Sequence, residues 1–272
     1  MILPFPRRIF VLFRQVPPTR LPGGGNLFPL LIRLSRMPPL PAAPLIDVII
    51  PAYNEEQSIG HVLAEIPAGL VREVLVVDNN SRDQTGVVAR AAGATVLREN
   101  RPGYGHACLA GMAHCFARPA AEQPAIIVFL DGDYSDYPAE MPRLLAPILR
   151  GEADMVIGSR ALGERESGAM LPQQIFGNWL ATTLMRGFYG VRYTDLGPFR
   201  AIRTEALKQI GMEDKTYGWT VEMQLKAAKL KLRTQEVPVR YRRRIGVSKV
   251  SGTVKGTLGA GYKILWTIFK YL

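Results

Sequence analysis

The chain of 272 residues has little cysteine and lacks the glycine motifs of the common nucleotide-binding proteins. Two isolated cysteines can neither staple a small scaffold nor supply the paired ligands of a structural zinc site. No Gly-x-Gly-x-x-Gly or Walker A sequence follows the first predicted strand, which argues against a nicotinamide-dependent enzyme and a P-loop NTPase. No apolar run reaches the roughly 18 residues that a membrane-spanning helix requires.

Acidic residues are nearly missing from the two ends of the chain. Residues 1–46 contain six arginines and no acidic residue, and residues 226–272 contain 12 basic residues and a single acid, Glu236. The stretch between them holds 22 acidic and 16 basic residues, so the net charge of +11 conceals an acidic-leaning body between basic ends. Such ends suit nucleic acid, an anionic membrane surface or phosphorylated substrates.

The composition predicts three parts. Residues 1–44 are rich in proline and arginine and contain a run of three glycines, so we expect a largely disordered leader. Residues 45–250 carry the regular pattern of a folded domain. Residues 251–272 form a basic and apolar tail.

From Leu45 onward, short apolar runs alternate with segments of helical periodicity. Strongly apolar strands are predicted over 45–50, 73–78 and 125–130, and helices over 59–66, 85–92, 105–116 and 139–149. Strands that alternate with helices in this way are joined by parallel crossovers. The pattern therefore predicts an α/β fold built on a doubly wound, mostly parallel sheet.

Polar motifs follow three of the predicted strands. They are Pro51-Ala-Tyr-Asn-Glu55, Asp78-Asn-Asn-Ser81 and Asp131-Gly-Asp133. Because ligands of open α/β sheets bind beyond the carboxyl ends of the strands, we expect these motifs to share one site. Asp78 and its neighbours could bind a nucleotide base or ribose, or simply cap the next helix.

The Asp131 and Asp133 carboxylates, two residues apart around a glycine, can turn toward one hard cation. Mg²⁺ or Mn²⁺ takes oxygen ligands, keeps substrate phosphates in its shell and neutralises a diphosphate leaving group. Asp136 is either a further ligand or a helix cap before Pro138, and we favour the cap.

These spaced motifs resemble the family 2 glycosyltransferases. Gly158-Ser-Arg160, Asp195-Leu-Gly-Pro-Phe-Arg200 and Arg243-x-x-Gly-x-Ser248-Lys249 are similar to the branch of polyprenyl- and dolichyl-phosphate mannose and glucose synthases. The resemblance covers about residues 45–255. Two positions depart from the branch: Ser135 replaces a customary Gln, and Pro198 replaces a customary Gly, which leaves the third metal ligand and the acceptor open.

The resemblance implies a GT-A-type, Rossmann-like fold and a reaction that inverts the configuration at the sugar C1. It implies that Asp131 and Asp133 hold the metal on the diphosphate, Asp133 being catalytic. The nucleotide-sugar site would comprise Pro51, Tyr53, Glu55, Asp78, Asn80, Asp131, Gly158 and Arg160.

The back half of the chain must supply the acceptor side. Arg200 and the basic run over 240–244, followed by Ser248 and Lys249, could form a solvated face, a nucleic-acid patch or a phosphate clamp. We favour the clamp, since Arg offers paired donors to phosphate, and expect Arg243 and Lys249 to point inward.

Glu222 and Asp195 are candidates for the general base that a hydroxyl acceptor would need. An ionised phosphate acceptor is already nucleophilic and needs orientation instead. Glu222 could equally be an acid that the dipole stabilises at a helix N-terminus.

The last 14 residues, Gly259–Leu272, interleave aromatic residues with Lys263 and Lys270. This composition fits an amphipathic helix at a membrane surface, and the alternative is a helix that packs on the core. Cys108 and Cys115, seven residues apart, should share one buried helix face.

The motifs and the resemblance together imply a metal-dependent, inverting hexosyltransferase that uses a UDP- or GDP-sugar, with Mg²⁺ or Mn²⁺ as cofactor. We expect a lipid-linked polyprenyl phosphate as acceptor and a cytoplasmic location at the inner membrane face, with no nucleic-acid partner. One alternative is transfer to a small soluble hydroxyl acceptor with Glu222 as base. A second is a binding protein that recruits nucleic acid or membrane through its basic tail.

Overall fold

The computed structural model describes Met37, residues 39–41, residues 44–246 and residues 254–272, the side chains at 254, 255 and 257 excepted. Most of the predicted leader lies outside these residues. So do two residues of the predicted phosphate clamp, Ser248 and Lys249.

The described strands form one seven-stranded sheet in the order β3-β2-β1-β4-β6-β5-β7. Only β6 within this sheet runs antiparallel to its neighbours, β4 and β5, so the predicted mostly parallel α/β sheet is confirmed. The strands are β1 (Ile46–Ala52), β2 (Glu73–Asp78), β3 (Thr95–Arg98), β4 (Ile126–Phe129), β5 (Met155–Ser159), β6 (Arg200–Arg203) and β7 (Thr234–Pro238).

Helices cover both faces of the sheet, as double winding requires. The described α-helices are α1 (Ile59–Ala64), α2 (Thr85–Ala91), α3 (Tyr104–Phe116), α4 (Met141–Leu149), α5 (Pro172–Tyr189), α6 (Thr204–Ile210), α7 (Trp219–Lys229) and α8 (Val254–Lys270). Alternate residues of β1 separate the two cores: Val48 and Ile50 pack with α1, α2 and α4, whereas Ile49 packs with α3, α6 and α7. None of the helices in the described ranges is both long and apolar enough to cross a membrane.

Helices α5 and α6 and the antiparallel strand β6 were not predicted from the sequence. Helix α5 carries exposed Phe176 and Trp179 on its outer side, so its apolar residues do not follow one helical face. Strand β6 spans four residues and has arginine at both ends, so its two apolar central residues form too short a run to predict a strand.

The C-terminal helix docks on the body and also exposes an apolar side. Helix α8 packs against α5 and α7, where Thr267 and Ile268 are buried. Leu258, Tyr262 and Phe269 remain exposed on another side of the helix. Both alternatives for this segment, core packing and an amphipathic surface helix, therefore describe part of its geometry.

Helix α3 lies close against the sheet because of its small residues. Cys108 and Cys115 are free and fully buried on its inner face, as predicted, and burial raises the pKa of the Cys115 thiol to about 12. At Gly111 a Cβ atom would come within 2.7 Å of Ile49 Cγ2. Glycine at this position therefore sets the distance between α3 and β1.

We expect Gly111→Ala to destabilise the protein by about 1–3 kcal/mol, because the added methyl group overpacks the contact with Ile49. The matched control is Gly187→Ala in α5, where a Cβ would meet nothing within 4 Å. The control should gain about 0.5–1 kcal/mol from its better helix propensity. Urea denaturation followed by circular dichroism measures both, and equal stabilities would contradict the close-packing argument.

Candidate active site

The carboxyl ends of β1, β2 and β4 open into a cavity of about 790 Å³. Residues from the start of α3, from α5 and from α8 complete its walls, including Tyr104, Gln174 and Ile264. The predicted site residues that line it are Pro51, Tyr53, Glu55, Asn80, Asp131, Asp133 and Arg160. The sheet thus brings the three strand-end motifs into one site.

Reciprocal hydrogen bonds fasten the loop after β1 to the loop after β2. The Asn54 amide donates to Ser81 Oγ (3.0 Å), and the Arg82 amide donates back to Asn54 Oδ1 (2.8 Å). The Glu55 amide donates to Thr85 Oγ1 at 2.7 Å. Asn54 adopts a left-handed φ of 55°, which asparagine tolerates better than most residues. The motif after β2 thus shapes the loop that carries Tyr53 and Glu55.

Asp78 lies behind the cavity wall. Its carboxylate accepts the Ser81 amide (2.9 Å) and Arg98 Nη1 (2.7 Å) and so holds the turn after β2. Asp78 does not cap the next helix, because α2 begins only at Thr85 after Gln84. Next to it, Asn79 accepts the Gly103 amide at 2.8 Å and donates to the carbonyls of Glu99 and Arg101. Asn79, which the sequence analysis did not select, thereby fixes the segment that leads into α3.

The two acids after β4 face the cavity with different partners. Asp131 Oδ1 accepts a hydrogen bond from Tyr104 (3.0 Å). Burial, and next the charge of Asp133, raise the pKa of Asp131 to about 7. Asp133 Oδ1 accepts the Ser135 amide (2.9 Å) and hydroxyl (2.5 Å), while Oδ2 lies 2.5 Å from Arg244 Nη2.

This acid pair fits a divalent cation. Burial raises the pKa of Asp131 most and the charge of Asp133 adds to it, and a dication bound between the two carboxylates would stabilise their charged forms. Within the described residues, no group of three or more His, Cys, Asp or Glu is arranged to hold a metal. Two carboxylates suit Mg²⁺ or Mn²⁺, which fill their remaining positions with phosphate oxygens and water.

Asp136 does not cap a helix, so that prediction is wrong. Its backbone bridges to Tyr241, and Tyr137 instead precedes the short 3₁₀ turn that begins at Pro138. Both oxygens of the Asp136 carboxyl are buried without a hydrogen-bond partner in the described structure, and burial raises its pKa well above the usual range. These features favour a neutral carboxyl group beneath the acid pair.

Asp195 positions Arg160 in the cavity wall. Its carboxylate accepts Arg160 Nε at 2.8 Å, Nη2 at 2.7 Å and the Arg160 amide at 2.7 Å. Asp195 is 1% exposed, and Arg160 holds its pKa below the usual range despite burial. The Arg160 guanidinium also lies over the Tyr241 ring, 5.0 Å from its centroid.

The arginines of the 240–244 run point in different directions. Arg240 pairs with Glu140, Arg242 pairs with Glu65, and Arg243 Nε donates to the Ser167 carbonyl at 2.7 Å. Arg244 is the member of the run that lines the cavity. The expectation that Arg243 points inward is therefore wrong: Arg243 is held at the Ser167 carbonyl, and its neighbour Arg244 reaches the cavity instead.

Arg200 and Glu222 are both placed away from the cavity, contrary to expectation. Arg200 is fully buried, donates to the carbonyls of Leu196, Gly197 and Thr220, and burial lowers its pKa to about 10. Glu222 is also fully buried. Its carboxylate accepts Tyr271 Oη (2.8 Å), Lys226 Nζ (2.7 Å) and the amides of Glu213 and Asp214.

These hydrogen bonds and ion pairs give Arg200 and Glu222 structural roles. The Arg200 donors hold the turn before β6 against α7, and Glu222 joins α7 to α8. Gly158 likewise lies within buried β5, where a Cβ would meet Val239 at 3.0 Å. It serves close packing next to Arg160 rather than lining the cavity.

Several cavity residues were not foreseen in the sequence. Tyr104 begins a helix 27 residues before the acid it contacts, and Arg244 stands beside the arginine that the motif register favoured. Gly177 and Asn178 lie on the unpredicted helix α5, and Ala260 and neighbouring residues of α8 close the other side. Of these cavity residues, only Arg244 could have been selected from the sequence, because it belongs to the basic run over 240–244.

Comparison with known proteins finds that residues 47–211 match the model of Glycosyl transferase family 2. An uncharacterized glycosyltransferase of Mycobacterium tuberculosis is 37% identical over 219 residues, which cover 80% of this chain and 94% of that protein. An undecaprenyl-phosphate mannosyltransferase of Micrococcus luteus is 32% identical, covering 76% of this chain and 88% of its own length. A dolichyl-phosphate hexose transferase of Haloferax volcanii is 34% identical over 75% of this chain and 85% of its own.

Solved structures share the fold. Glucosyl-3-phosphoglycerate synthase from Mycobacterium tuberculosis, in complex with Mn²⁺, UDP-glucose and phosphoglyceric acid, superposes with a TM-score of 0.66. The match covers 85% of this chain and 80% of that one at 24% sequence identity. The architecture is thus that of a glycosyltransferase.

We expect Asp131→Asn to become progressively more stable than the parent protein as the pH rises from 5 to 8 without metal. The folded pKa of about 7 exceeds the ordinary value of 3.8, so the folded parent holds an extra proton between these two pH values. The stability from this proton is fully present below the ordinary value and is lost progressively until the pH exceeds the folded pKa, above which the difference is constant. Melting temperatures in chelator measure the difference, which should reach several degrees.

Glu152→Gln is the control, because this exposed acid pairs with Arg150 and its pKa lies below the window. Its melting temperature relative to the parent should not vary between pH 5 and 8. A difference for Asp131→Asn that is equally flat would contradict the raised pKa.

Proposed function

Because the chain belongs to glycosyl transferase family 2, we propose that it transfers a hexose from a nucleoside-diphosphate sugar to a lipid-linked polyprenyl phosphate, using Mg²⁺ or Mn²⁺. The observation that carries this proposal is the strand-end cavity in which Asp131 and Asp133 lie together beside Arg160 and Arg244. Carboxylates that can hold a dication and guanidinium groups that can bind phosphate meet there.

The donor is proposed to lie across the ends of β1, β2 and β4. Pro51, Tyr53, Glu55 and Asn80 would line the nucleoside end, and Asp131 with Asp133 would hold the metal. When bound, the metal neutralises charge on the leaving diphosphate. Arg160, fixed by Asp195, can donate two hydrogen bonds to a phosphate without losing its orientation.

The acidic residues of the cavity do not provide a clear general base, which favours a phosphate acceptor over a hydroxyl acceptor. Of the described lining residues, Glu55, Asp131 and Asp133 are acidic, and two of these are assigned to the metal. The two candidate bases, Glu222 and Asp195, are both absent from the lining of the cavity: Glu222 is bonded on both oxygens, and Asp195 is paired with Arg160. An ionised phosphate needs no base to attack C1, and the polyprenyl- and dolichyl-phosphate relatives support this class of acceptor.

A small soluble acceptor is the second candidate. The glucosyl-3-phosphoglycerate synthase structure, which shares the fold, contains phosphoglyceric acid. Such an acceptor would also place an anion beside Arg160 or Arg244. The two candidates differ in the group that attacks and in their need for a lipid surface.

Helix α8 supports a membrane-facing location for the cavity. Its exposed stripe consists of Leu258, Tyr262, Trp266 and Phe269, with exposures of 68%, 69%, 43% and 51%. These positions repeat every three or four residues, so they share one side of the helix. Lys263 and Lys270 lie over the Trp266 ring at the edge of the stripe, and lysines beside an apolar helix face favour binding to anionic bilayers.

We expect Asp133→Asn to lower metal-dependent transfer at least about 100-fold, since one carboxylate of the acid pair is lost. Purified protein is incubated with UDP- or GDP-hexoses, Mn²⁺ and either undecaprenyl phosphate in detergent or phosphoglyceric acid, and mass spectrometry identifies the product. Glu152→Gln, a surface acid far from the cavity, is the control and should match the parent. Parent-like transfer by Asp133→Asn would refute the metal assignment, and a glycosylated soluble product would favour the second candidate.

We expect Trp266→Ser/Phe269→Ser to reduce sedimentation with phosphatidylglycerol vesicles about tenfold or more, because two exposed aromatic side chains no longer enter the bilayer surface. Val87→Ser/Leu230→Ser is the matched control, since these apolar residues are exposed to similar degrees elsewhere. Equal sedimentation of the two double variants would rule out the stripe as the membrane contact. Unlike deletion of the helix, both sets spare buried Ile268.

A further inference from the structure

The basic segment is fixed to the acid pair by its backbone. The Arg242 amide donates to the Ser135 carbonyl (2.9 Å), and the Ile245 amide donates to the Asp133 carbonyl (3.0 Å). Tyr241 bridges to Asp136 in the antiparallel sense. The backbone on both sides of Arg244 is therefore anchored, and a change in its contacts needs only side-chain rotation.

Arg244 contacts the carboxylate oxygen of Asp133 that a divalent metal cation would bind. Oδ1 of Asp133 accepts the Ser135 amide and hydroxyl, which leaves Oδ2 as the oxygen toward the cavity. Arg244 Nη2 lies 2.5 Å from that oxygen. A divalent cation binds carboxylate oxygen at about 2.0–2.2 Å, and at that distance it would repel the guanidinium strongly.

The geometry points to Arg244 as an exchange residue: it neutralises Asp133 until the metal and a nucleoside diphosphate bind, and then passes to the diphosphate. This inference rests on the proposed function, because it takes the acid pair to be the metal site. Arg244 itself lines the cavity, so its guanidinium stays beside the donor after it leaves Asp133. A planar guanidinium suits phosphate as well as carboxylate.

The other arginines of the run are held elsewhere. Arg242 bonds to both oxygens of Glu65 and lies over the Tyr134 ring, and Arg243 bonds to the Ser167 carbonyl. Arg160 is held by Asp195 rather than by the acid pair. Arg244 is thus the arginine of the described segment that contacts a proposed metal ligand.

The exchange makes the two binding events depend on each other. Metal alone must break the Arg244–Asp133 pair and leave a partly buried guanidinium without that anion, which costs free energy. When a nucleoside diphosphate is present, Arg244 trades one anion for another. Each ligand therefore raises the affinity of the protein for the other, and this coupling adds to the direct metal–diphosphate contact.

The first test measures Mn²⁺ binding by the full chain without nucleotide, using electron paramagnetic resonance to count free Mn²⁺. Arg244→Met should bind Mn²⁺ about tenfold more tightly than the parent, because the competing cation is gone. Arg243→Met removes the same charge from the neighbouring position outside the cavity and should leave the affinity within about twofold. Unchanged or weaker Mn²⁺ binding by Arg244→Met would overturn the inference.

The second test follows the guanidinium directly. Arginine Nε–H signals are recorded by NMR with diamagnetic Mg²⁺, and the Arg244 signal is assigned by its loss in Arg244→Met. It should shift when Mg²⁺ is added and shift again when UDP or GDP follows. A signal indifferent to both ligands, in a protein that binds them, would refute the exchange, whereas a parent protein that binds neither would refute the proposed function itself.

Discussion

Two carboxylates that follow one buried strand repel each other, and the surrounding structure is organised to tolerate that repulsion. Burial, and next the charge of Asp133, raise the pKa of Asp131 to about 7, and Tyr104 donates a hydrogen bond to it, whereas Asp133 is paired with Arg244. Asp136 lies close beneath, with both oxygens buried and without partners in the described structure. Tyr104 and Arg244, which come from separate parts of the chain, therefore lie at the end of β4, where a hydrogen bond and an ion pair stabilise the negative charge of the acid pair.

The same constraint explains the order of the basic segment. Its backbone pairs with the loop over residues 133–136, where the amides of Arg242 and Ile245 donate to the carbonyls of Ser135 and Asp133. Arg240 pairs with Glu140 and Arg242 pairs with Glu65, whereas Arg244 reaches the acid pair. Under the proposed exchange, ligands that bind this site would do so in competition with the Arg244–Asp133 ion pair.

The sequence predicted what depends on local patterns and missed what depends on distant partners. Apolar runs identified β1, β2 and β4, and the motifs after them mark the cavity, because parallel strands share one carboxyl edge. The inward position of Arg244 follows from backbone pairing with residues more than 100 positions earlier, which spacing cannot reveal. Glu222 is a second example. Its hydrogen-bond partner Tyr271 lies 49 residues away, so the sequence could not distinguish an acid with a structural role from a catalytic base.

Helix α8 connects the acid pair to the exposed stripe. Ala260, Gly261 and Ile264 line the cavity, while Leu258 and Tyr262 lie on another side of the same helix. A helix with side chains is about 10–12 Å across, so cavity and stripe are separated by little more than one helix. Under the proposed function, an acceptor phosphate could enter the cavity while its chain stayed at the bilayer surface. Under the same proposal, Arg160 and Arg244 would attract an anionic acceptor to a site whose carboxylates would otherwise repel it.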